Sequence, residues 1–236
     1  MPASTTAFIT GATHGIGRAT AFALGRAGYA VGVCARTAGK VDALVAELKR
    51  EGFASAGAAA DVSQLEPVSH AVEQISGALG EIGLLVNNAG VLIARPFEEL
   101  TLEEWDTTMA TNVRSLFVVT RAVLPGMRRR GEGTVVNVAS LAARNGFAGG
   151  AAYTASKHAV LGFARSLMLE VRKEGIRVIT ICPGSVDTGM LRDQPMLKSN
   201  PQRILQPEDV AQAIVAAVQL PGRALVSEID VRPTNP

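Results

Sequence analysis

The order of apolar runs along this chain predicts an α/β fold, a parallel sheet covered by helices on both faces and built as one domain. Three observations carry that prediction. Short apolar runs bounded by turn residues alternate regularly with longer amphipathic segments, and strands joined through helices must cross over and lie parallel. The 236 residues suffice for one sizeable core and fall where such folds form a single domain. The composition, 47% hydrophobic and 19% charged with 24 glycines, is that of a globular chain with many close backbone approaches.

Taken in order, AFIT (7–10) reads as the first strand, and TGATHGIG leads from it into a helix over 15–27. AVGVCA (30–35) is a second strand before a helix over 39–51. ASAGAAA (54–60) reads as the third, although its alanines suit a helix equally, and a helical pattern follows at 64–79. GLLVN (83–87) precedes the longest amphipathic segment, 101–130, and TVVNVA (134–139) precedes a helix over 151–174. RVITIC (177–182) is the sixth strand. The last helix, 207–219, carries Pro207 in its first turn before Glu208 and Asp209, and ALVSEIDV (224–231) is the seventh strand. Residues 189–206, GMLRDQPMLKSNPQRILQ, lack a clean period and hold two prolines, which predicts a flexible loop over a site. No repeat, linker or low-complexity tract marks a boundary, so residues 1–236 read as one domain.

Composition also excludes classes of function. A formal charge of +2 is too small to argue for nucleic acid, and the triplet Arg128-Arg129-Arg130 closes a helix, where cations suit the dipole. Cys34 and Cys182 each lie in an apolar run and read as buried, reduced thiols. No apolar run reaches spanning length, and MPASTTAFIT lacks a basic region followed by an apolar one. The expectation is a soluble cytoplasmic protein that binds no membrane. His14, His70 and His158 are isolated and no Cys or His cluster has ligand spacing, so no metal is predicted.

TGATHGIG, Thr10 to Gly17, follows a strand and opens a helix, the context in which glycines let a pyrophosphate approach backbone N–H groups. Gly11, Thr13, His14, Gly15, Ile16 and Gly17 are the candidate contacts, with His14 a weak second phosphate ligand. In NAD-binding units an acidic residue at the end of the second strand holds the ribose hydroxyls; here Arg36 and Thr37 stand there. A guanidinium suits a 2′-phosphate, so NADP(H) is preferred, with NAD(H) as the alternative.

Tyr153 and Lys157 stand four residues apart in AAYTASKHAV, on one face of a helix. A phenol with a pKa near 10 is a poor acid-base catalyst at neutral pH, and a neighbouring ammonium lowers that pKa. By itself the pair is a common accident, and ordinary surface decoration is the better reading of it. The succession Thr10-Gly11-x-x-x-Gly15-x-Gly17, Asn87-Asn88-Ala89-Gly90, Asn112, Ser140, Tyr153-x-x-x-Lys157 and Pro183-Gly184, however, resembles the classical short-chain dehydrogenase/reductase (SDR) family from end to end.

The resemblance implies a Rossmann-like doubly wound domain with seven parallel strands ordered 3-2-1-4-5-6-7. It also implies a homotetramer or dimer built partly by the helices at 101–130 and 151–174. Tyr153 would donate a proton to a substrate carbonyl oxygen while hydride reaches the carbon, or both steps would run backwards with an alcohol. Ser140 would position the same oxygen. Lys157 would lower the pKa of Tyr153 and bind the nicotinamide ribose, and Asn112 matches the position that holds a water in the family's proton relay. Asp61 and Val62 match the pair that meets adenine, and Asn88, Ala89 and Gly90 the turn flanking the adenosine ribose. After the Pro183-Gly184 turn, the Val186 backbone and the Thr188 hydroxyl match contacts to the carboxamide and a nearby phosphate. Without the resemblance, Asn112 reads as an amide turned to solvent, Ser140 as a strand-end hydroxyl satisfied by its own backbone, and Asn87 as a brace between central strands.

Two departures from the family pattern add expectations. Only residues 189–206 separate Thr188 from Pro207, where many members carry a long helical insertion, so the pocket is expected to be open on that side. The ending ALVSEIDVRPTNP differs from the glycine-pair ending of the family's acyl-carrier-protein reductases. Leu92, Leu141, Phe147, Met190, Leu191 and Met196 are the candidate pocket lining.

The leading reading is an NADP-dependent carbonyl reductase or alcohol dehydrogenase acting on a small molecule. One alternative is a 3-oxoacyl-thioester reductase, which needs a basic surface for an acidic carrier; Arg95, Arg144 and Arg192 are its candidates. Another is a non-catalytic dinucleotide sensor, against which Ser140, Tyr153 and Lys157 argue.

Overall fold

The computed structural model describes residues 5–194, 196–197, 200 and 202–234. Seven strands form one sheet in the order β3-β2-β1-β4-β5-β6-β7, each pair parallel. The strands are β1 (Thr6–Thr10), β2 (Ala30–Ala35), β3 (Ser55–Ala59), β4 (Ile82–Asn87), β5 (Gly133–Val138), β6 (Ile176–Pro183) and β7 (Glu228–Val231). Helices α1 (Gly15–Arg26), α2 (Ala38–Arg50), α3 (Leu65–Leu79), α4 (Leu102–Met109), α5 (Ser115–Arg130), α6 (Ala151–Val171), α7 (Gly189–Arg192) and α8 (Pro207–Val218) connect them. The alanine-rich third run is a strand, and β7 is shorter than expected, beginning at Glu228.

Period-2 alternation divides the strand side chains between two cores. Ala7 and Ile9 face one side with Val31, Val33, Val86 and Ile179, where they meet Leu24 of α1, Leu44 and Leu48 of α2 and Ile214 of α8. Phe8 faces the other with Leu85, Val135 and Val178, under Ile75 of α3, Val119 and Met127 of α5 and Leu167 of α6. Because both faces are covered, the strands read as nearly continuous apolar runs. Pro207 begins α8, and the backbone N–H of Gln206 donates to Asp209 Oδ2 at 2.8 Å.

The expected single helix over 101–130 is interrupted. Thr101 and Glu104 close a reciprocal capping box at its start, but Ala110–Arg114 form a π-helical turn between α4 and α5. One extra residue per turn breaks the 3.6-residue period, and such insertions gather at functional sites; Asn112 lies in this one. The arginine triplet at the end of α5 is engaged by carboxylates, Arg128 with Glu174 and both Arg129 and Arg130 with Glu81.

Strand order reverses between β1 and β4, so the loops leaving their carboxyl ends diverge and open a crevice, the place where open α/β sheets bind ligands. Among the described residues no helix is long and apolar enough to cross a membrane.

Candidate active site

At the mouth of that crevice the β1–α1 turn is shaped by backbone that side chains disfavour. Gly11 and Gly15 have φ of +63° and +53°, and a Cβ on Gly17 would fall 2.4 Å from the Gly11 carbonyl oxygen. Helix α1 has no side-chain cap and no acidic residue in its first turn. Its N–H groups and the positive end of its dipole therefore remain available to an anion. Asn88 holds the turn in place. Its Nδ2 donates to the carbonyls of Thr10 at 3.0 Å and Gly11 at 3.1 Å, while Thr10 Oγ1 accepts from the N–H groups of Asn88 and Ala89, each at 3.1 Å. Asn87 is a brace between strands, donating to Thr120 Oγ1 and Asn137 Oδ1 at 3.1 and 3.0 Å.

A polar cavity of about 270 Å³ runs from this turn along the strand ends. It gathers Gly11, Thr13, His14, Gly15, Ile16, Arg36, Thr37, Asp61, Val62, Asn88, Ala89, Gly90, Tyr153, Lys157 and Thr188. Gly17 is buried behind the turn and does not line the cavity. Pro183, Gly184 and Val186 line the adjoining cavity instead.

Lys40 also faces the polar cavity, and the sequence reading passed over it. A cation in the first turn of α2, which holds no acidic residue, opposes the helix dipole, and that conflict was the available signal. Arg36 and Lys40 are both exposed and neither forms an ion pair with any described residue. Together they suit a phosphate at the far end of the cavity.

Tyr153 and Lys157 lie one turn apart near the start of α6, both buried. Lys157 Nζ sits 5.6 Å from the centre of the Tyr153 ring and donates to the Val138 carbonyl at 3.1 Å. The expected lowering of the tyrosine is not what the surroundings produce. Burial pushes the Tyr153 phenol up from its ordinary value, with hydrogen bonding to Ser140 acting in the opposite direction. Burial also pulls the Lys157 ammonium down to about 8, which the nearby Cys182 opposes. Removing both groups from water disfavours the charged form of each, and burial is the larger influence on both. Ser140, just past the end of β5, accepts from the Ala142 N–H at 3.1 Å and is hydrogen-bonded to the Tyr153 phenol, which brings the two hydroxyls together.

Asn112 is not turned to solvent. Only 3% exposed, its Oδ1 accepts from the Val91 N–H at 2.8 Å and its Nδ2 donates to the Val91 carbonyl and to Ser156 Oγ, both at 2.9 Å. Ser156 in turn donates to the Tyr153 carbonyl at 2.7 Å. The amide thus ties the β4–α4 loop to the turn of α6 that carries Tyr153. Ser156 escaped the sequence reading because its role exists only through these contacts.

A second cavity, about 520 Å³, opens on the other side of Tyr153. Ile16, Ala139, Tyr153, Thr188 and Met190 line both cavities. All six expected lining residues, Leu92, Leu141, Phe147, Met190, Leu191 and Met196, border it, joined by Asn145 and Leu197. The segment expected to be a flexible loop, part of which lies outside the described residues, starts as α7, and its Met190, Leu191, Met196 and Leu197 border this cavity. Gln194 Oε1 accepts from the Ala94 N–H at 3.0 Å, and a parallel bridge pairs Val186 with Leu205.

Comparison with known proteins agrees with this geometry. The family model described as short chain dehydrogenase matches residues 5–197. The chain belongs to the short-chain dehydrogenase/reductase family. It is an oxidoreductase, and its sheet order and separated motifs are those expected of this family. A monensin polyketide synthase putative ketoacyl reductase from Streptomyces virginiae is 43% identical over 189 residues, 79% of this chain and 72% of that one. The acetoacetyl-CoA reductase of Shinella zoogloeoides is 36% identical over 220 residues, 90% of each. Among solved structures, a variant of the actinorhodin polyketide ketoreductase with NADPH superposes with a TM-score of 0.91 at 32% identity, covering 98% of this chain and 96% of that one.

Proposed function

We propose that the protein is an NADP(H)-dependent carbonyl reductase, acting in reverse as an alcohol dehydrogenase, with Tyr153 as acid and base. One observation carries this reading: Tyr153 stands at the seam between a polar cavity headed by the glycine turn and a larger apolar one. Bound in the polar cavity, the nicotinamide dinucleotide supplies or takes up the hydride. The α1 N-terminus would hold its pyrophosphate, Arg36 and Lys40 the 2′-phosphate, and Asp61 and Val62 the adenine. Lys157, directed into the same cavity, would bind the nicotinamide ribose, and the Val186 backbone and Thr188 the carboxamide end. The NADPH bound to the actinorhodin ketoreductase supports this choice of cofactor.

Burial holds the Tyr153 phenol above its ordinary value, which favours the protonated form that donates to a carbonyl oxygen and disfavours the phenolate that the reverse reaction needs. Ser140, hydrogen-bonded to the Tyr153 phenol, would turn its hydroxyl to the same oxygen, and Asn112 and Ser156 hold the helical turn from which Tyr153 projects. To test this, the purified protein is mixed with NADPH or NADH and a panel of ketones, aldehydes, quinones and acyl thioesters while nicotinamide absorbance is followed. NADPH consumption with at least one carbonyl is expected, and Tyr153→Phe should lower kcat/KM by roughly 10²–10⁴. Full activity of that variant would refute the assignment.

The ketoacyl and acetoacetyl-CoA reductases among the relatives favour a second reading, reduction of a 3-oxoacyl thioester. The three arginines that were candidates for carrier docking weigh against it. Arg95 is paired with Glu104, Arg144 with Glu228 and Asp230, and Arg192 with Asp187. The acyl thioesters in the panel separate the two readings.

Residues 1–236 act in this reading as one catalytic domain in the cytoplasm, where the free thiols of Cys34 and Cys182 stay reduced. Association into a homotetramer or dimer is supported by a groove of about 370 Å³ between α5 and α6, lined by Phe117 of α5, which is 51% exposed; outside the groove, Leu169 of α6 is 60% exposed.

A further inference from the structure

The larger cavity has a chemical character that narrows its substrate. Resting on the reading of Tyr153 as proton donor, we propose that the site takes bulky, uncharged, apolar carbonyl compounds, aryl ketones and their esters above all. Compounds carrying a free carboxylate or phosphate are discriminated against. At about 520 Å³ the cavity is large enough for a drug-sized ligand. Among the described residues lining it there is no Lys, Arg, His, Asp or Glu, and Asn145 is the one amide.

Two described cations adjacent in sequence to lining residues are directed elsewhere. Arg144, immediately before Asn145, bonds Glu228 Oε2 at 2.7 Å and Asp230 Oδ1 at 2.9 Å on β7. Arg192, next to Leu191, is paired with Asp187 at 3.3 Å. An anion entering the cavity would lose water and find no opposite charge among the described lining residues, a penalty that an ester does not meet.

The apolar wall has its own support in the backbone. A Cβ on Gly150 would lie 2.5 Å from the Phe147 ring. The bare glycine therefore lets the ring settle on the start of α6, edge-on to Tyr153 with ring centres 6.2 Å apart at 62°. Gly149, with φ of +77°, offers the same accommodation to Met196, whose Cε would be 3.1 Å from an added Cβ. Phe147 and Met196 are thus seated on a glycine pair, Phe147 with its ring beside that of Tyr153, and an aromatic edge at that position favours a flat, unsaturated substrate.

The test compares methyl 4-acetylbenzoate with 4-acetylbenzoate, which share a reacting methyl ketone and differ in a remote charge. Two quantities are read: kcat/KM with NADPH, and Kd from an NMR titration of the protein without a hydride donor. The ester should be favoured by at least about tenfold in both. Phe147→Ala should weaken ester binding by about tenfold while leaving the NADPH Kd unchanged, because Phe147 does not border the polar cavity. Leu191→Arg should narrow the ester-to-acid ratio by supplying the missing cation. Equal turnover and equal Kd for ester and acid would overturn the substrate class while leaving the Tyr153 mechanism intact. A tenfold difference in Kd without turnover of either would uphold the class and sink the mechanism. An ester-to-acid ratio unchanged in Leu191→Arg would also overturn it.

Discussion

Replacing Asn112 with leucine, a side chain of similar size without polar atoms, tests whether this amide braces the site. Three bonds would be lost, from the Val91 N–H, to the Val91 carbonyl and to Ser156 Oγ. Ser156 still donates to the Tyr153 carbonyl, so its hydroxyl is not orphaned. The Val91 N–H and carbonyl are left unpaired in a partly buried position, at about 1–2 kcal/mol each. The total of about 2–4 kcal/mol corresponds, for a chain of this length, to a fall in Tm of roughly 4–16 °C. Calorimetry or circular dichroism measures it. A double-mutant cycle with Ser156→Ala should give a coupling of about 0.5–1.5 kcal/mol, because the two side chains share one bond. A Tm within about 1 °C of wild type, or strict additivity with Ser156→Ala, would refute the argument that Asn112 secures the turn bearing Tyr153.

Two further outcomes follow from the charges around the polar cavity. Arg36→Ala and Lys40→Ala should each raise the KM for NADPH about tenfold while leaving NADH unaffected, and the salt dependence of NADPH binding should weaken; comparable use of NADH and NADPH by the wild type would contradict this. Burial lowers Lys157 to about 8, below its value in the unfolded chain near 10.4. Between those values the unfolded chain binds a proton that the folded chain has released, so stability rises with pH across the window and the burial penalty is fully present below it. Lys157→Met should therefore be inactive yet more stable than wild type at pH 7 by about 1–3 kcal/mol, with an advantage that shrinks between about pH 8 and 10. Parallel stability profiles for the two proteins would show that the ammonium is not destabilised.

Fold class was legible because strand and helix periods leave direct marks on sequence. The seven apolar runs could be strands only if helices covered both faces of their sheet, and each run was found in it. The alanines of β3 were ambiguous, since alanine suits a helix as well as a buried strand; pairing with β2 settled the matter. The break at Ala110–Arg114 left no mark, because a π-turn keeps the composition of a helix and shifts only its hydrogen bonding.

At the site, the chain alone determined what depends on residue type and local spacing: the glycines that free the α1 N-terminus, the Tyr153 and Lys157 pair on one helical face, and Arg36 where a carboxylate would otherwise stand. Tertiary structure decided what depends on groups distant in sequence. The pKa of Tyr153 is governed by burial rather than by the lysine one turn away, and burial is created by the whole fold. Asn112 became a brace only because Val91 and Ser156 arrive from other elements. Arg144, next in sequence to the cavity's Asn145, is held instead by Glu228 and Asp230 on β7, an ion-pair geometry that sequence spacing does not encode.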